Sequence, residues 1–390
     1  MKRLAIVTTH PIQYNAPLFK LLTERRKIEI KVFYTWSQSA LGKKFDPGFG
    51  KNIEWDIPLL EGYEYSFVEN IATHPGSHHY KGINKPTLTK EIQVWGANAI
   101  MVYGWNFKSH LGAIRFFSKK IPVFFRGDSI LMNEQNSVKR LMRRIFLRII
   151  YSYIDIAFYV GSANKAYFKA MGLDEKQLVF VPHAVDNNRF APKERYVKNA
   201  ATLKTELGVG ANSLLFLYAG KLDANKNVAV LINAFIALNT NKHFLLIVGN
   251  GEEETELKKS SQGNPNIKFL HFQNQLQMPI LYAAADVFIL PSKTETWGLA
   301  INEAMIAGKA IIASSTCGAA LDLVKLNKNG FVFNSHDTFA LTKALEHFIK
   351  DKNASKLMGM ESLKIIKHYN YEEDCIAIEN TTNKRALLAN

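Results

Sequence analysis

The chain has 390 residues, 47% hydrophobic and 21% charged, a length that suits two domains and a composition ordinary for a soluble globular protein. Its two cysteines, Cys317 and Cys375, are far apart and lack metal-ligand spacing, which excludes a disulfide framework or a zinc site and fits a reducing, cytoplasmic compartment; no stretch approaches the ~18 apolar residues of a membrane span. The net charge of +15 is uneven, with 29 Lys and Arg against 16 Asp and Glu in residues 1–195 but 20 against 18 in residues 196–390, so the first half calls for an anionic partner.

The opening MKRLAIVTTH has a basic tip and an apolar run too short for a signal peptide, and it reads as a first strand over 4–8. A helix over 16–24 follows. Further on come a strand over 99–103, a helix over 110–118, and strands over 122–125 and 154–160. The most apolar region, 145–160, is broken by Arg148 and Asp155. A helix over 163–171 and a strand over 178–181 complete the series. The polar segment 186–211 reads as irregular, with the linker over 191–210. A second series alternates strands over 214–219, 244–248, 267–270 and 287–290 with helices over 228–238, 253–260 and 279–284. Residues 369–388 read as a last helix that crosses back to the first domain. Short apolar strands alternating with amphipathic helices predict parallel sheets covered on both faces. The expected architecture is α/β, two doubly wound Rossmann-like domains (1–190 and 211–368) facing a cleft, followed by a crossing helix over 369–390. In such sheets ligands sit at the carboxyl ends of the strands.

The richest stretch is PSKTETWGLAINEAMIAGKAIIAS, residues 291–314, which reads as strand, loop, short helix, strand. Leu299, Glu303, Ile306 and Ala307 share one helical face that is apolar apart from Glu303. A carboxylate buried there needs a partner or a ligand. The loop 294–298 offers backbone N–H groups where the helix begins, an anion site with Glu295 beside it. A ligand anionic at one end and rich in hydroxyls at the other fits. The loop AGKLDANKNV brings Gly220, Lys221 and Lys226 to the mouth of the same sheet, where two lysines would neutralise a departing diphosphate. Gly249 and Gly251, in VGNGEEETEL, fit close backbone approach to a ligand. In the first half, His10 and Gln13 follow the first strand, and Arg126 and Asp128 follow the strand over 122–125. Arg126 is open to two readings, a contact for anionic or hydroxyl groups or a structural pair with Asp128.

The segment SVKRLMRRIFLRII sets Lys139, Arg140, Arg143, Arg144 and Arg148 on one helix with an apolar face of Val138, Leu141, Met142, Ile145, Phe146 and Ile149. It fits docking on an anionic membrane, peripheral on the inner face, or core packing beneath a solvated basic face. No G-x-S-x-G elbow, H-E-x-x-H, P-loop, paired cysteines or Asp-x-Asp occurs, which removes the motifs of hydrolases, kinases and metal enzymes. The aromatic residues sit in apolar strands, so no nucleic-acid stacking platform is expected.

Taken in order, the G-K-L…K-N-V loop, the V-G-x-G loop, the A-D-V-F-I-L-P-S strand, the two glutamates with seven residues between them and the N-E-A-M-x-A-G-K-A-I-I-A-S run resemble family 4 glycosyltransferases of the GT-B fold. The resemblance covers residues 218–334; the opening T-H-P-I-Q-Y-x-A-P-L-F is similar to a subgroup of these enzymes. It implies a retaining, metal-independent transferase that takes a UDP- or GDP-sugar donor, with no other cofactor, and a glycan or lipid-linked acceptor in cell-surface polysaccharide or glycolipid synthesis. Lys221 and Lys226 would bind the donor diphosphate and Glu303 the ribose. Glu295 would touch the sugar, and the backbone of Thr296, Trp297, Gly298 and Leu299 would hold sugar and phosphate. The chain departs from the family where Lys221 replaces a common Arg, Glu252 a common Pro, Ala319 the second Gly of a pair, and Arg126 a common His. Two other readings share the fold: a nucleotide-sugar epimerase and a non-catalytic subunit.

Overall fold

The computed structural model describes residues 1–36, 44–46, 48–131 and 138–388. In chain order its strands are β1 (Arg3–Thr8), β2 (Glu29–Tyr34), β3 (Lys44–Asp46), β4 (Lys51–Ile53), β5 (Glu64–Phe67), β6 (Ala99–Tyr103), β7 (Val123–Arg126), β8 (Ile156–Tyr159) and β9 (Leu178–Phe180). After them come β10 (Leu215–Ala219), β11 (Phe244–Val248), β12 (Ile267–Leu270), β13 (Val287–Leu290), β14 (Ala310–Ser314) and β15 (Gly330–Phe333). Among the described residues they form a seven-stranded sheet ordered β5-β2-β1-β6-β7-β8-β9, a six-stranded sheet ordered β12-β11-β10-β13-β14-β15, and the pair β3-β4. Both large sheets are parallel, with Leu4 opposite Ala99 in the first and Phe216 opposite Val287 in the second.

The central strands are continuous apolar runs because helices cover both faces: Leu4 to Val7 and Leu215 to Tyr218 have no exposed surface. Strand order reverses between β1 and β6 in the first sheet and between β10 and β13 in the second. At such a reversal the crossover helices leave on opposite faces and a crevice opens at the carboxyl ends. His10 and Gln13 follow β1 at the first reversal; Lys221 and Lys226 follow β10, and Glu295 follows β13, at the second.

The chain divides into two compact units, one of residues Met1–Lys44, Pro58–His183 and Tyr371–Asn390, the other of Phe45–Ile57 and Ala184–Asn370. The last helix, Tyr371–Leu388, packs on the helix Ala16–Arg25 of the first unit. Arg25 donates to Glu379 at 2.8 Å, Tyr371 donates to the Tyr14 carbonyl at 3.0 Å, and Cys375 and Ile378 join the core on that side of the first sheet.

Several expectations need correction. The segment read as an irregular linker is mostly helix, Asn187–Phe190 and Glu194–Glu206, and the longer one packs on the helix Met278–Ala284. Tyr196 and Ala200, four apart, are its buried face. Residues 45–57 group with the second unit although they precede β5 of the first sheet. Strands β2, β5 and β15 and the helices Leu88–Trp95, Thr338–Lys350 and Lys352–Ile366 add to the expected elements.

Candidate active site

Two loops meet at the reversal point of the second sheet. The loop after β10 turns on Asp223, whose Oδ1 accepts from the backbone N–H of Asn225 and Lys226, each at 3.0 Å. Asn227 then takes a left-handed φ of 58° and donates through Nδ2 to the Pro291 and Ser335 carbonyls at 3.2 and 2.8 Å. Asn225 ties the two loops together, donating through Nδ2 to the Thr294 carbonyl at 2.7 Å and accepting from the Lys293 N–H at 2.7 Å. With both backbones fixed, Lys226 Nζ donates to Glu295 Oε2. Both side chains are about four-fifths buried, at 20% and 19% exposure. A cation and an anion so placed present a matched pair to a phosphate and a hydroxyl.

Glu295 is also held from behind. Its N–H donates to the Thr316 carbonyl at 3.2 Å, and its carbonyl accepts from Gly318 N–H at 3.0 Å. A Cβ on Gly318 would fall 2.1 Å from the Thr296 oxygen, so only glycine allows that approach. Next door, Ala319 N–H donates to the Trp297 carbonyl at 2.9 Å. The Trp297 ring is buried, donates to Asn302 Oδ1 at 2.9 Å and stacks on Tyr369. Gly298, at φ 100°, is the left-handed residue that starts the helix Leu299–Ile306. Nearly all of that helix is buried rather than one face of it, because it is enclosed by neighbouring helices as well as the sheet. Glu303 is 3% exposed and accepts from the Tyr282 hydroxyl at 2.7 Å. Cys317 has no exposed surface and burial pushes its thiol up to about 12, which suits a small core residue and not a nucleophile.

The other expected residues are placed differently. Lys221 is not beside Lys226's partner: its Nζ donates to Asp46 Oδ1 at 2.9 Å. Burial raises the Asp46 carboxyl, but the Lys221 ammonium and the N–H groups of Phe49 and Gly48 outweigh it and hold the group below its ordinary value. Gly249, at φ 147°, and Gly251 serve loop packing: a Cβ would meet the Gly220 oxygen at 1.9 Å or the Leu222 oxygen at 2.3 Å. The sequence reading gave those glycines to ligand approach; the structure gives them to backbone approach between the loops after β11 and β10.

Arg126 fits neither of its two readings. It is 5% exposed and donates to the Val181 and Pro182 carbonyls at 2.9 and 3.0 Å, and its charge partner is Asp374 of the last helix at 4.0 Å. Asp128 lies instead 4.0 Å from His183. His10 Nδ1 is 3.0 Å from Thr9 Oγ1, and both His10 and Gln13 are half-buried at the end of β1. The sequence reading missed Asn225, Asn227, Tyr282 and Asp46. The run DANKN carried a turn signal for the first two; Tyr282 and Asp46 had none.

Residues 200–364 match the profile of the family described as Glycosyl transferases group 1. The UDP-Gal:alpha-D-GlcNAc-diphosphoundecaprenol alpha-1,3-galactosyltransferase of Escherichia coli is 31% identical over 211 residues, 52% of this chain and 53% of that protein. A GalNAc-alpha-(1->4)-GalNAc-alpha-(1->3)-diNAcBac-PP-undecaprenol alpha-1,4-N-acetyl-D-galactosaminyltransferase of Campylobacter jejuni is 27% identical over 221 residues, 55% of each chain. The chain thus spans about half the length of the curated relatives it matches. Among solved structures, Anabaena Alr3699/HepE in complex with UDP superposes with a TM-score of 0.75 over 98% of this chain and 100% of that one, at 20% identity, a likeness of fold. The architecture is GT-B, and its second half, through residues 200–364, is similar to the group 1 glycosyl transferases.

Proposed function

We propose that the protein is a retaining glycosyltransferase that moves a sugar from a nucleoside-diphosphate donor to a glycan or lipid-linked acceptor. One observation carries the reading: Lys226 and Glu295, from loops 69 residues apart, are brought into contact at the strand reversal of the segment that matches the family. Negative charge grows on the diphosphate as the bond to the anomeric carbon breaks. Lys226 and the N–H groups at the start of the 299–306 helix offset it in place of a metal ion. Glu295 is placed for the hydroxyls of the transferring sugar, and Glu303 with Tyr282 for the ribose. Acceptor recognition is assigned to the first unit. The named relatives act on diphosphoundecaprenol-linked sugars and the named structural neighbour holds UDP, which makes a UDP-sugar and a lipid-linked acceptor the first pair to test.

Purified protein is screened for thermal stabilisation by UDP, GDP and their sugars, then assayed for transfer. Lys226→Ala and Glu303→Ala are each expected to lower turnover at least ~100-fold, the scale of losing one electrostatic stabiliser. Near-normal rates in both variants overturn the site assignment. Epimerised donor formed without acceptor would mark the chain as an epimerase. Nucleotide affinity unchanged in both variants would mark it as a non-catalytic subunit.

The Val138–Tyr151 helix carries the second part of the reading. Its core face is Leu147, Ile150 and Tyr151, whereas Leu141, Met142, Ile145, Phe146 and Ile149 are all more than half exposed. Arg140, Arg143, Arg144 and Arg148 flank this stripe; the Lys139 side chain lies outside the described residues. An apolar stripe edged with arginine suits insertion among anionic headgroups, where a lipid-linked acceptor resides. Among the described residues no helix is long and apolar enough to cross a membrane.

A further inference from the structure

The segment 45–57 touches Lys221 in the loop after β10 and residues 272–276 after β12. Asp46 Oδ1 accepts from Lys221 Nζ at 2.9 Å, from Gly48 N–H at 2.8 Å and from Phe49 N–H at 3.2 Å. One anionic oxygen thus gathers an ammonium and two backbone donors, the set that a phosphate oxygen takes. The lysine lies against the backbone of this segment: a Cβ on Gly48 would fall 2.4 Å from its Nζ, and the Phe49 ring lies 5.1 Å from that nitrogen. Further along, Phe49 and Trp55 pack edge-on against Phe272 just after β12, and Lys51 Nζ sits 4.8 Å over the same ring. Asn274 donates to the Glu54 carbonyl at 2.6 Å, and the Leu276 N–H donates to Asp56 at 3.1 Å. The Lys221–Asp46 pair is about one-third exposed on each side.

We infer that the 45–57 segment is a displaceable strap whose Asp46 holds the place of a phosphate on Lys221, and that a nucleoside diphosphate binds by taking Lys221 from it. The inference rests on reading Lys221 as a donor-phosphate lysine. A ligand oxygen and the Asp46 oxygen compete for one ammonium, so donor binding weakens the strap and the strap weakens donor binding by the same factor. The strap then keeps the site closed to weaker anions until a diphosphate arrives.

The test has two readouts on the full chain. UDP affinity is measured calorimetrically for the wild type and for Asp46→Asn. The variant is expected to bind about fivefold tighter, the scale of a partly exposed ion pair. Tryptic cleavage after Lys51 is followed by mass spectrometry with and without inorganic pyrophosphate. Pyrophosphate is expected to accelerate cleavage in the wild type and to have no effect in Lys221→Ala. Equal or weaker UDP binding by Asp46→Asn overturns the strap, as does cleavage that is unchanged or slowed by pyrophosphate. Slowed cleavage would mean that the segment closes over the anion instead. If pyrophosphate accelerates cleavage while neither UDP nor GDP binds, the donor reading and the nucleoside diphosphate as occupant both fall, and only the displaceable Asp46–Lys221 contact stands. If UDP binds wild type and Asp46→Asn alike, the strap falls and the donor reading stands.

Discussion

The exposed stripe on the Val138–Tyr151 helix gives the sharpest quantitative expectation. Leu141 and Met142 are 61% and 66% exposed, and Ile145, Phe146 and Ile149 lie at 51–53%. Full burial of such a side chain contributes ~1.5–3 kcal/mol, so hiding the remaining half of five contributes about 5 kcal/mol. An arginine near an anionic surface adds about 1 kcal/mol, and Arg143→Glu with Arg144→Glu removes two attractions and adds two repulsions, about 4 kcal/mol. Both arginines also have contacts within the protein; a discount for these leaves about 2 kcal/mol, or ~30-fold in partitioning. Sedimentation with phosphatidylserine-rich and pure phosphatidylcholine vesicles reads it directly. The double reversal is expected to abolish the preference for phosphatidylserine, and Ile145→Asp to weaken binding to both. Raising salt should weaken the wild type on the anionic vesicles alone. A double variant whose partitioning stays within about threefold of wild type on phosphatidylserine refutes the electrostatic part of the reasoning.

Gly249→Ala should cost about 3 kcal/mol, because its Cβ would fall 1.9 Å from the Gly220 oxygen at a φ of 147°. Gly263→Ala, at φ 89° with nothing within 4 Å, should cost about 1 kcal/mol from backbone strain alone; urea midpoints that do not separate the two refute the packing role. For Asp374, burial pushes the carboxyl up to about 7 and Arg126 pulls it back only in part. The folded chain therefore binds this proton more tightly than the unfolded one, so its contribution to stability is full at low pH and falls as pH rises from about 4 through about 7. Asp374→Asn should flatten that decline; equal changes in urea midpoint for both proteins across the window refute the assignment.

What was legible in the sequence follows the range of each signal. The strands β1, β6, β10, β11 and β13 announced themselves because burial on both faces makes them continuous apolar runs. The helix Glu194–Glu206 also carried its signal, Tyr196 and Ala200 four apart, but the polar residues around them outweighed it. At the site, Lys226 and Glu295 could be paired from sequence because each follows a strand that borders the reversal, so topology alone brings them together. Arg126 met the same strand-end rule and failed it. The rule fixes where a backbone ends; the direction of the side chain was decided by the Val181 and Pro182 carbonyls and by Asp374, all contributed by distant segments. Gly249 and Gly251 are ambiguous for a related reason, since glycine records that something comes close without recording whether it is a ligand or another loop, and here another loop accounts for both. The strap is the extreme case. Nothing in its own residues marks 45–57 as belonging to the second unit, and the proposed strap turns on a single contact, Asp46 with Lys221, between segments 175 residues apart. On the proposed reading, a diphosphate lysine that comes with its own carboxylate differs in kind from a bare one: its affinity for donor would be a difference between two anions, tuned from a segment outside the region that matches the family model.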